Sequence, residues 1–171
     1  SFNVQDNYIR ASLLKLVSSR AFCKALFPVV VFLSFPCSLD APPVNLITNP
    51  TLEKGSEAWA STGPGCKLAE EGFNSKRSLL IEKSGKYSLW LMRVSGVMPR
   101  TDYIVSCRYK QDGNGSMQIV TLGHDLYLPA AKGGWQEYRK VIHSGDNGGT
   151  CTFQLLNEKR PSSVWFDDVQ L

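Results

Sequence analysis

Histidine is scarce in this 171-residue sequence, and several patterns that hold metals or nucleophiles are missing. It contains two histidines, and it has neither a Cys-x-x-Cys spacing nor a Gly-x-Ser-x-Gly motif, so zinc and serine-hydrolase sites are not indicated. The acidic neighbours Glu70–Glu71 and Asp167–Asp168 would point to opposite faces of a strand. Hydrolysis by paired carboxyl groups needs two such groups that converge across a cleft. We therefore expect a non-catalytic protein.

Clusters of positive charge and long apolar runs are also missing. Lys and Arg total 19 against 15 Asp and Glu, and no basic cluster follows residue 43, so nucleic acid is not an expected partner. The apolar run Ala25–Phe35 falls short of the roughly 20 residues that a membrane-spanning helix needs. Arg20 and Lys24 precede this run, and small residues lie near Ala41, which is typical of a secretory signal.

We interpret residues 20–42 as a signal peptide, leave residues 1–19 unassigned, and predict one domain over residues 43–171. A buried strand or helix remains the alternative for the apolar run. The signal predicts a secreted protein, extracellular or periplasmic, that does not insert into a membrane after processing. We further expect a monomer.

Cysteine is present in an odd number in the predicted domain, as Cys66, Cys107 and Cys151. This leaves either one disulfide bond and one free thiol, or no bond at all. Cys107 and Cys151 both fall on inward positions of predicted strands, so we expect them to be buried together, with Cys66 as the free thiol.

After Pro43 the sequence consists of short alternating runs separated by turn residues, which predicts strands and no helix. About nine strands favour a sandwich or barrel. The predicted strands are Asn45–Leu52, Lys67–Glu71, Ser78–Lys83, Tyr87–Val94, Asp102–Lys110, Met117–Leu122, Gln136–Ser144, Cys151–Asn157 and Ser163–Leu171.

Alternation within the strands separates an apolar face from a mixed polar face. The mixed faces carry Arg108, Gln118 and Gln154. These side chains are either solvent-exposed residues with no ligand role or the polar floor of a ligand site. Trp59, Trp90 and Trp135 are predicted to lie in the core, whereas the alternation around Trp165 leaves an exposed ring open as an alternative.

Four motifs, in order, resemble those of carbohydrate-binding modules of families 4, 9 and 22. They are VNLITNPTLEKGSEAW at Val44–Trp59, GVMPRTDYIVSCRYK from Gly96, GGWQEYRKVIHS from Gly133, and VWFDDVQL at Val164–Leu171. The resemblance implies a jelly-roll β-sandwich of two antiparallel sheets. It also implies non-catalytic binding of a polysaccharide, such as a β-glucan or xylan, in a concave cleft, as an accessory module of a glycoside hydrolase.

Matching the cleft strands of these modules one by one gives the expected ligand-binding residues. They are Tyr87, Leu89, Gln118, His124, Tyr127 and Gln154. Aromatic rings cover the C–H patches of sugars, and Gln amides both donate to and accept from hydroxyl groups. Thr62 stands where cellulose-type modules often carry an aromatic residue, which favours the alternative of a structural or adhesion sandwich that has lost its ligand.

The resemblance also implies a structural Ca²⁺ near the first and last strands. The matching positions are Thr51, through a backbone oxygen, and Asp168. Oxygen ligands of this kind suit a hard cation.

Overall fold

The structure is a computed structural model that describes residues 44–83, 87–131, 133–146, 148–158 and 162–171. Residues 44–171 belong to one compact unit that spans Pro42–Leu171. The predicted signal peptide over residues 20–42 and the unassigned residues 1–19 lie outside the described part. In that described part, no helix has the length and apolar character needed to cross a membrane.

The described residues form two antiparallel sheets of five strands each, which confirms the predicted all-β sandwich. The first sheet has the order β1-β4-β9-β6-β7 and the second sheet has the order β2-β3-β10-β5-β8. The strands are β1 Ala60–Thr62, β2 Cys66–Ala69, β3 Ser78–Ile81, β4 Ser88–Val97, β5 Asp102–Asp112, β6 Ser116–Thr121, β7 His124–Leu128, β8 Gln136–His143, β9 Gly149–Glu158 and β10 Ser163–Gln170.

The predicted opening strand Asn45–Leu52 is a series of bends and turns instead. Asn49 and Leu52 have positive φ angles of 54° and 58°, which breaks an extended conformation. The segment still follows β10, because the Leu46 N–H donates to the Leu171 carbonyl at 2.8 Å and the Val169 N–H to the Pro50 carbonyl at 3.2 Å. The two ends of the domain therefore lie side by side without a regular strand pair.

Two short strands, β1 and β7, were not predicted. β1 is exposed throughout, so its side chains carry no alternating signal. β7 follows β6 after a two-residue turn in which Leu122 and Gly123 both have positive φ, at 50° and 78°. That conformation is typical of a tight hairpin turn with a type I′ backbone, which usually contains Asn-Gly or Asp-Gly. Because Leu122 occupies the first turn position in place of Asn or Asp, the sequence does not predict this turn.

The inner faces of the two sheets form a single apolar core. Alternation placed the core side of β5 and β9 correctly, because Val105 and Cys107 on β5 pack with Phe153 and Leu155 on β9. Trp59 is buried as predicted, and its ring meets the Phe153 ring edge to face with 6.3 Å between centroids. Trp90 is also in the core, and its Nε1 donates to the Leu80 carbonyl at 3.0 Å.

Cys66, Cys107 and Cys151 are all free thiols in the structure, which corresponds to the alternative without a disulfide bond. Cys107 is buried but Cys151 is only half-buried, so the expectation that the two are buried together is wrong. Cys107 lies on the second sheet opposite Tyr138, and Cys151 lies on the first sheet opposite Val94. Burial raises the pKa of the Cys107 thiol far above its ordinary value. Cys107 therefore behaves as a small core residue with little thiolate character.

Trp135 does not lie in the core. It is half-buried on the outer face of the second sheet, where its ring meets Phe73 with 6.2 Å between centroids. The ammonium of Lys110 lies 4.5 Å from the centroid of the half-buried Trp165 and 5.7 Å from that of Trp135. Arg108 belongs to this same face, 4.5 Å over the Phe73 ring, so it is not part of a ligand floor with Gln118 and Gln154.

Candidate functional site

A row of five side chains crosses the outer face of the first sheet. The strand registers place Thr62 opposite Leu89, Leu89 opposite Leu156, Leu156 opposite Gln118, and Gln118 opposite Tyr127. Each strand contributes one residue, and neighbouring strands lie about 4.8 Å apart, so the row is about 19 Å long. We call these residues the first row. It brings together Leu89, Gln118 and Tyr127 from the sequence-predicted set.

A second row runs beside the first, two residues further along each strand. It consists of Ala60, Leu91, Gln154, Val120 and Asp125. Gln154 therefore lies next to the predicted residues of the first row, on the same face. Apart from Gln154 and Asp125, the second row is apolar.

The floor of the first row is apolar and well packed. Leu89 and Leu156 are 7% and 3% exposed, although they lie outside the core cluster between the sheets. Their burial arises on the outer face, where they lie between Thr62 and Gln118 in the row. The sequence prediction included Leu89 but missed Leu156. Alternation along β9 contains the signal, because Leu156 shares its face with Gln154.

The amide groups of Gln118 and Gln154 lie on the same face as this floor. Gln118 is 5% exposed and Gln154 is half-buried, yet neither amide forms a hydrogen bond with another described residue. Each amide offers two donors and one acceptor oxygen. Polar groups held among apolar neighbours, with unused hydrogen-bonding capacity, are the usual means of orienting a ligand.

Two exposed tyrosines adjoin the first row, since Tyr127 is one of its members and Tyr87 precedes Leu89 by two residues. Tyr127 ends the first row and is 61% exposed, whereas Tyr87, which directly precedes β4, is 45% exposed. Gly63 has a φ of 94°, and a Cβ atom there would meet the Tyr87 carbonyl oxygen and the Ser88 backbone. A glycine at position 63 is what allows the chain after β1 to approach the segment that carries Tyr87.

His124 lies away from the two rows. It is opposite Thr121, on the side of β7 that faces away from Tyr127. Its Nε2 lies 2.9 Å from the carbonyl oxygen of His143, on the edge strand of the second sheet. His143 in turn lies 2.7 Å from an Asp102 carboxylate oxygen. Of the sequence-predicted ligand residues, the structure separates His124 from the others because the β6–β7 turn fixes the opposite alternation.

We call the outer face of the first sheet, which carries the two rows, the candidate face. An open groove of about 470 Å³ continues this face toward one end of the sandwich. It was not anticipated from sequence. Its lining includes Val120 and Thr152 from the outer face, Leu122 from the β6–β7 turn, and Asp146 and Gly148 from the segment before β9. Residues from two separate turns form it, so no single stretch of sequence carries a signal for it.

The predicted calcium positions adjoin each other across the domain ends. The hydrogen bond from Val169 to Pro50 brings the neighbours Asp168 and Thr51 close together. Asp168 has a φ of 48° at an irregularity in the β10 register. No group of three or more His, Cys, Asp or Glu residues gathers in the described part of the chain. A cation here would therefore be held by Asp168 and main-chain oxygens, a donor set compatible with Ca²⁺.

The sandwich has the fold of solved carbohydrate-binding modules. One similar solved structure is a family 16 carbohydrate-binding module, with a TM-score of 0.63 and 19% identity over 74% of this chain and 98% of that one. Another is a family 61 module in complex with β-1,4-galactotriose, with a TM-score of 0.60 and 13% identity over 75% of this chain and 97% of that one.

A third comes from the N-terminal endo-1,4-β-D-xylanase 10B of Clostridium thermocellum. Its CBM22-1 and GH10 modules, complexed with xylohexaose, match with a TM-score of 0.53 and 17% identity over 73% of this chain and 28% of that one. No protein-family model and no curated protein sequence matches the chain. At these identities the likeness establishes the fold, which confirms the resemblance drawn from the four sequence motifs.

Proposed function

We propose that the outer face of the first sheet binds a polysaccharide chain without cleaving it. The observation that carries this proposal is the pair of rows, where the amides of Gln118 and Gln154, which bond to no other described residue, adjoin a leucine floor and the exposed ring of Tyr127. Aromatic rings and amides together complement the alternating C–H patches and hydroxyl groups of sugars. A row about 19 Å long suits an extended chain of sugar units better than a single monosaccharide.

Binding without catalysis is supported by the charges of the face. Among its described side chains, Asp125 is the carboxylate of the two rows. Hydrolysis by either common mechanism requires a second carboxyl group within about 5–9.5 Å. The xylohexaose and galactotriose complexes of the similar structures also support a glycan as the ligand class.

The proposal is tested by affinity electrophoresis of the full chain in gels that contain soluble β-glucans, xylan or mannan. We expect at least one polysaccharide to retard migration of the wild type. A matched control is Val141→Ala, which removes an apolar side chain that is 60% exposed on the outer face of the second sheet and should leave retardation unchanged.

If no polysaccharide retards the chain, the structural or adhesion function takes its place. The observation that favours this second function is Thr62, which ends the first row where an aromatic residue would extend the stacking surface. The first row consequently has an aromatic ring for stacking at its β7 end, Tyr127, but not at its β1 end, Thr62.

We also propose that the domain is secreted, acts outside the cell as a monomer, and holds a structural Ca²⁺ at Thr51 and Asp168. Secretion rests on the signal pattern over residues 20–42. Calcium is supported by the hydrogen bonds that join the segment beginning at Asn45 to the end of β10. The Asn45 amide donates to the Val169 carbonyl and accepts from the Leu171 N–H, both at 3.2 Å.

A further inference from the structure

The guanidinium of Arg93 places a positive charge on the candidate face. Arg93 on β4 is exposed, and it forms no ion pair or hydrogen bond with any described residue. By contrast, Arg100 pairs with Asp146 at 2.7 Å and Arg108 with Glu137 at 2.9 Å. Arg93 therefore keeps its full complement of guanidinium donors available to a ligand.

Arg93 is next to the groove. It lies directly opposite Thr152 on β9, and Thr152 lines the groove. Two residues further along the same strands, Ser95 lies opposite Thr150, which also lines the groove. The guanidinium thus borders a strip of hydroxyl groups at the end of the face where the groove begins.

The two carboxylates that the rows and the groove lining contribute are either distant from Arg93 or compensated. Asp125 lies on β7, three strand spacings from β4, which corresponds to about 14 Å. Asp146 lines the groove, but its carboxylate is bound by Arg100. An anion at Arg93 would therefore meet no uncompensated carboxylate from the groove lining.

We propose that the polysaccharide bound by this face carries uronic acids, with Arg93 binding a uronate carboxylate and the adjoining groove holding the sugar ring that bears it. This inference rests on the proposed function, because it specifies the ligand of the same site. A planar guanidinium matches a carboxylate with two parallel hydrogen bonds, which a neutral sugar hydroxyl cannot accept. The apolar Val120 and Leu122 and the threonine hydroxyls of the groove complement the remainder of such a ring.

The experiment compares acidic polysaccharides with their own neutral forms. Affinities of the full chain are measured for glucuronoxylan and for polygalacturonate, each before and after chemical reduction of its carboxyl groups. The variants are Arg93→Gln, which keeps a polar side chain without the charge, and Arg139→Gln as the matched control. Arg139 is exposed on the outer face of the second sheet, so the control removes the same net charge at a site remote from the groove.

We expect the wild type to bind an acidic form about fivefold more tightly than its reduced form at low ionic strength, as one exposed ion pair allows. Arg93→Gln should abolish this preference by lowering affinity for the acidic form, and Arg139→Gln should retain the preference. Addition of 1 M salt, at which the screening length is about 3 Å, should also remove it.

Equal binding of the acidic and reduced forms would overturn the inference and leave the proposed function standing. An equal effect of both substitutions would also overturn it, because net charge alone would then explain the preference. Failure to bind any form, acidic or neutral, would overturn the proposed function and this inference with it.

Discussion

At the scale of single residues, the candidate face combines side chains that differ in how they are held. Gln118 is nearly buried between Leu156 and Tyr127, so its amide is positioned by packing before any ligand arrives. Tyr127 is largely exposed and has more freedom. Pre-positioned amides reduce the ordering cost of binding, whereas the exposed ring contributes mainly contact area.

Tyr127→Ala should lower polysaccharide affinity about tenfold. Stacking buries apolar area worth roughly 25 cal/mol per Å², so loss of one ring should cost about 1–2 kcal/mol of binding free energy. The melting temperature should not change, because the ring is 61% exposed in the unbound domain. Binding titrations and thermal melts of the same samples check both expectations. Unaltered affinity for every polysaccharide that the wild type binds would remove Tyr127 from the site.

At the scale of elements, the loop after β2 is fastened to β10 by a buried carboxylate. Asp167 is fully buried, and it accepts hydrogen bonds from the Phe73 N–H at 2.7 Å and the Ser75 hydroxyl at 2.8 Å. Burial raises the pKa of Asp167, and these hydrogen bonds oppose that rise only in part. The same loop carries Phe73 onto Arg108, so Asp167 positions the covering of the second sheet.

Asp167→Ala should lower the free energy of unfolding by about 2–3 kcal/mol, because it leaves buried donors without an acceptor. The native pKa is raised, so the folded state binds more protons than the unfolded state just above the ordinary carboxyl pKa. The stabilisation contributed by Asp167 therefore falls as pH rises through that range, and the difference between wild type and variant should shrink. Denaturant titrations between about pH 4 and pH 7 measure this difference. The exposed Asp125→Ala is the control, and a difference that grows with pH would contradict the assignment.

The junction between the opening segment and β10 is where calcium is expected to act. An ion that binds only the folded chain stabilises it by mass action, so a chelator should lower the melting temperature of the wild type. Asp168→Ala should lower the melting temperature without chelator and eliminate the response to it. Calcium is not proposed to contact the glycan, so polysaccharide affinity below the melting range should not depend on the chelator. A wild-type melting curve that ignores the chelator would show that no such ion is bound.

At the scale of the whole molecule, both sheets share one core, and the two ends of the domain are joined. Leu46 bonds to the terminal Leu171, and the core draws residues from Ile47 to Leu171. We therefore expect residues 44–171, expressed without the preceding segment, to unfold in one cooperative thermal transition. Calorimetry measures this directly. A broad, non-cooperative transition would indicate that the preceding residues are required for folding.

The sequence by itself determined the all-β class, the boundaries of most strands to within a few residues, and the face on which Gln118, Leu89 and Gln154 lie. It could do so because strand alternation is a local property, and each inward or outward position follows from its immediate neighbours. The same alternation placed Trp90 in the core, whereas Trp59 was placed there by the motif that contains it.

Other features were decided only by the tertiary structure, because they depend on which strands become neighbours. Strand order placed Cys107 and Cys151 on different sheets, and it placed Arg108 and Trp135 on the face opposite the candidate site. The groove and the position of Arg93 beside it require the register of β4 with β9 and the meeting of two turns. Periodicity assigns a side chain to a face, but only the packed sheets determine what it faces.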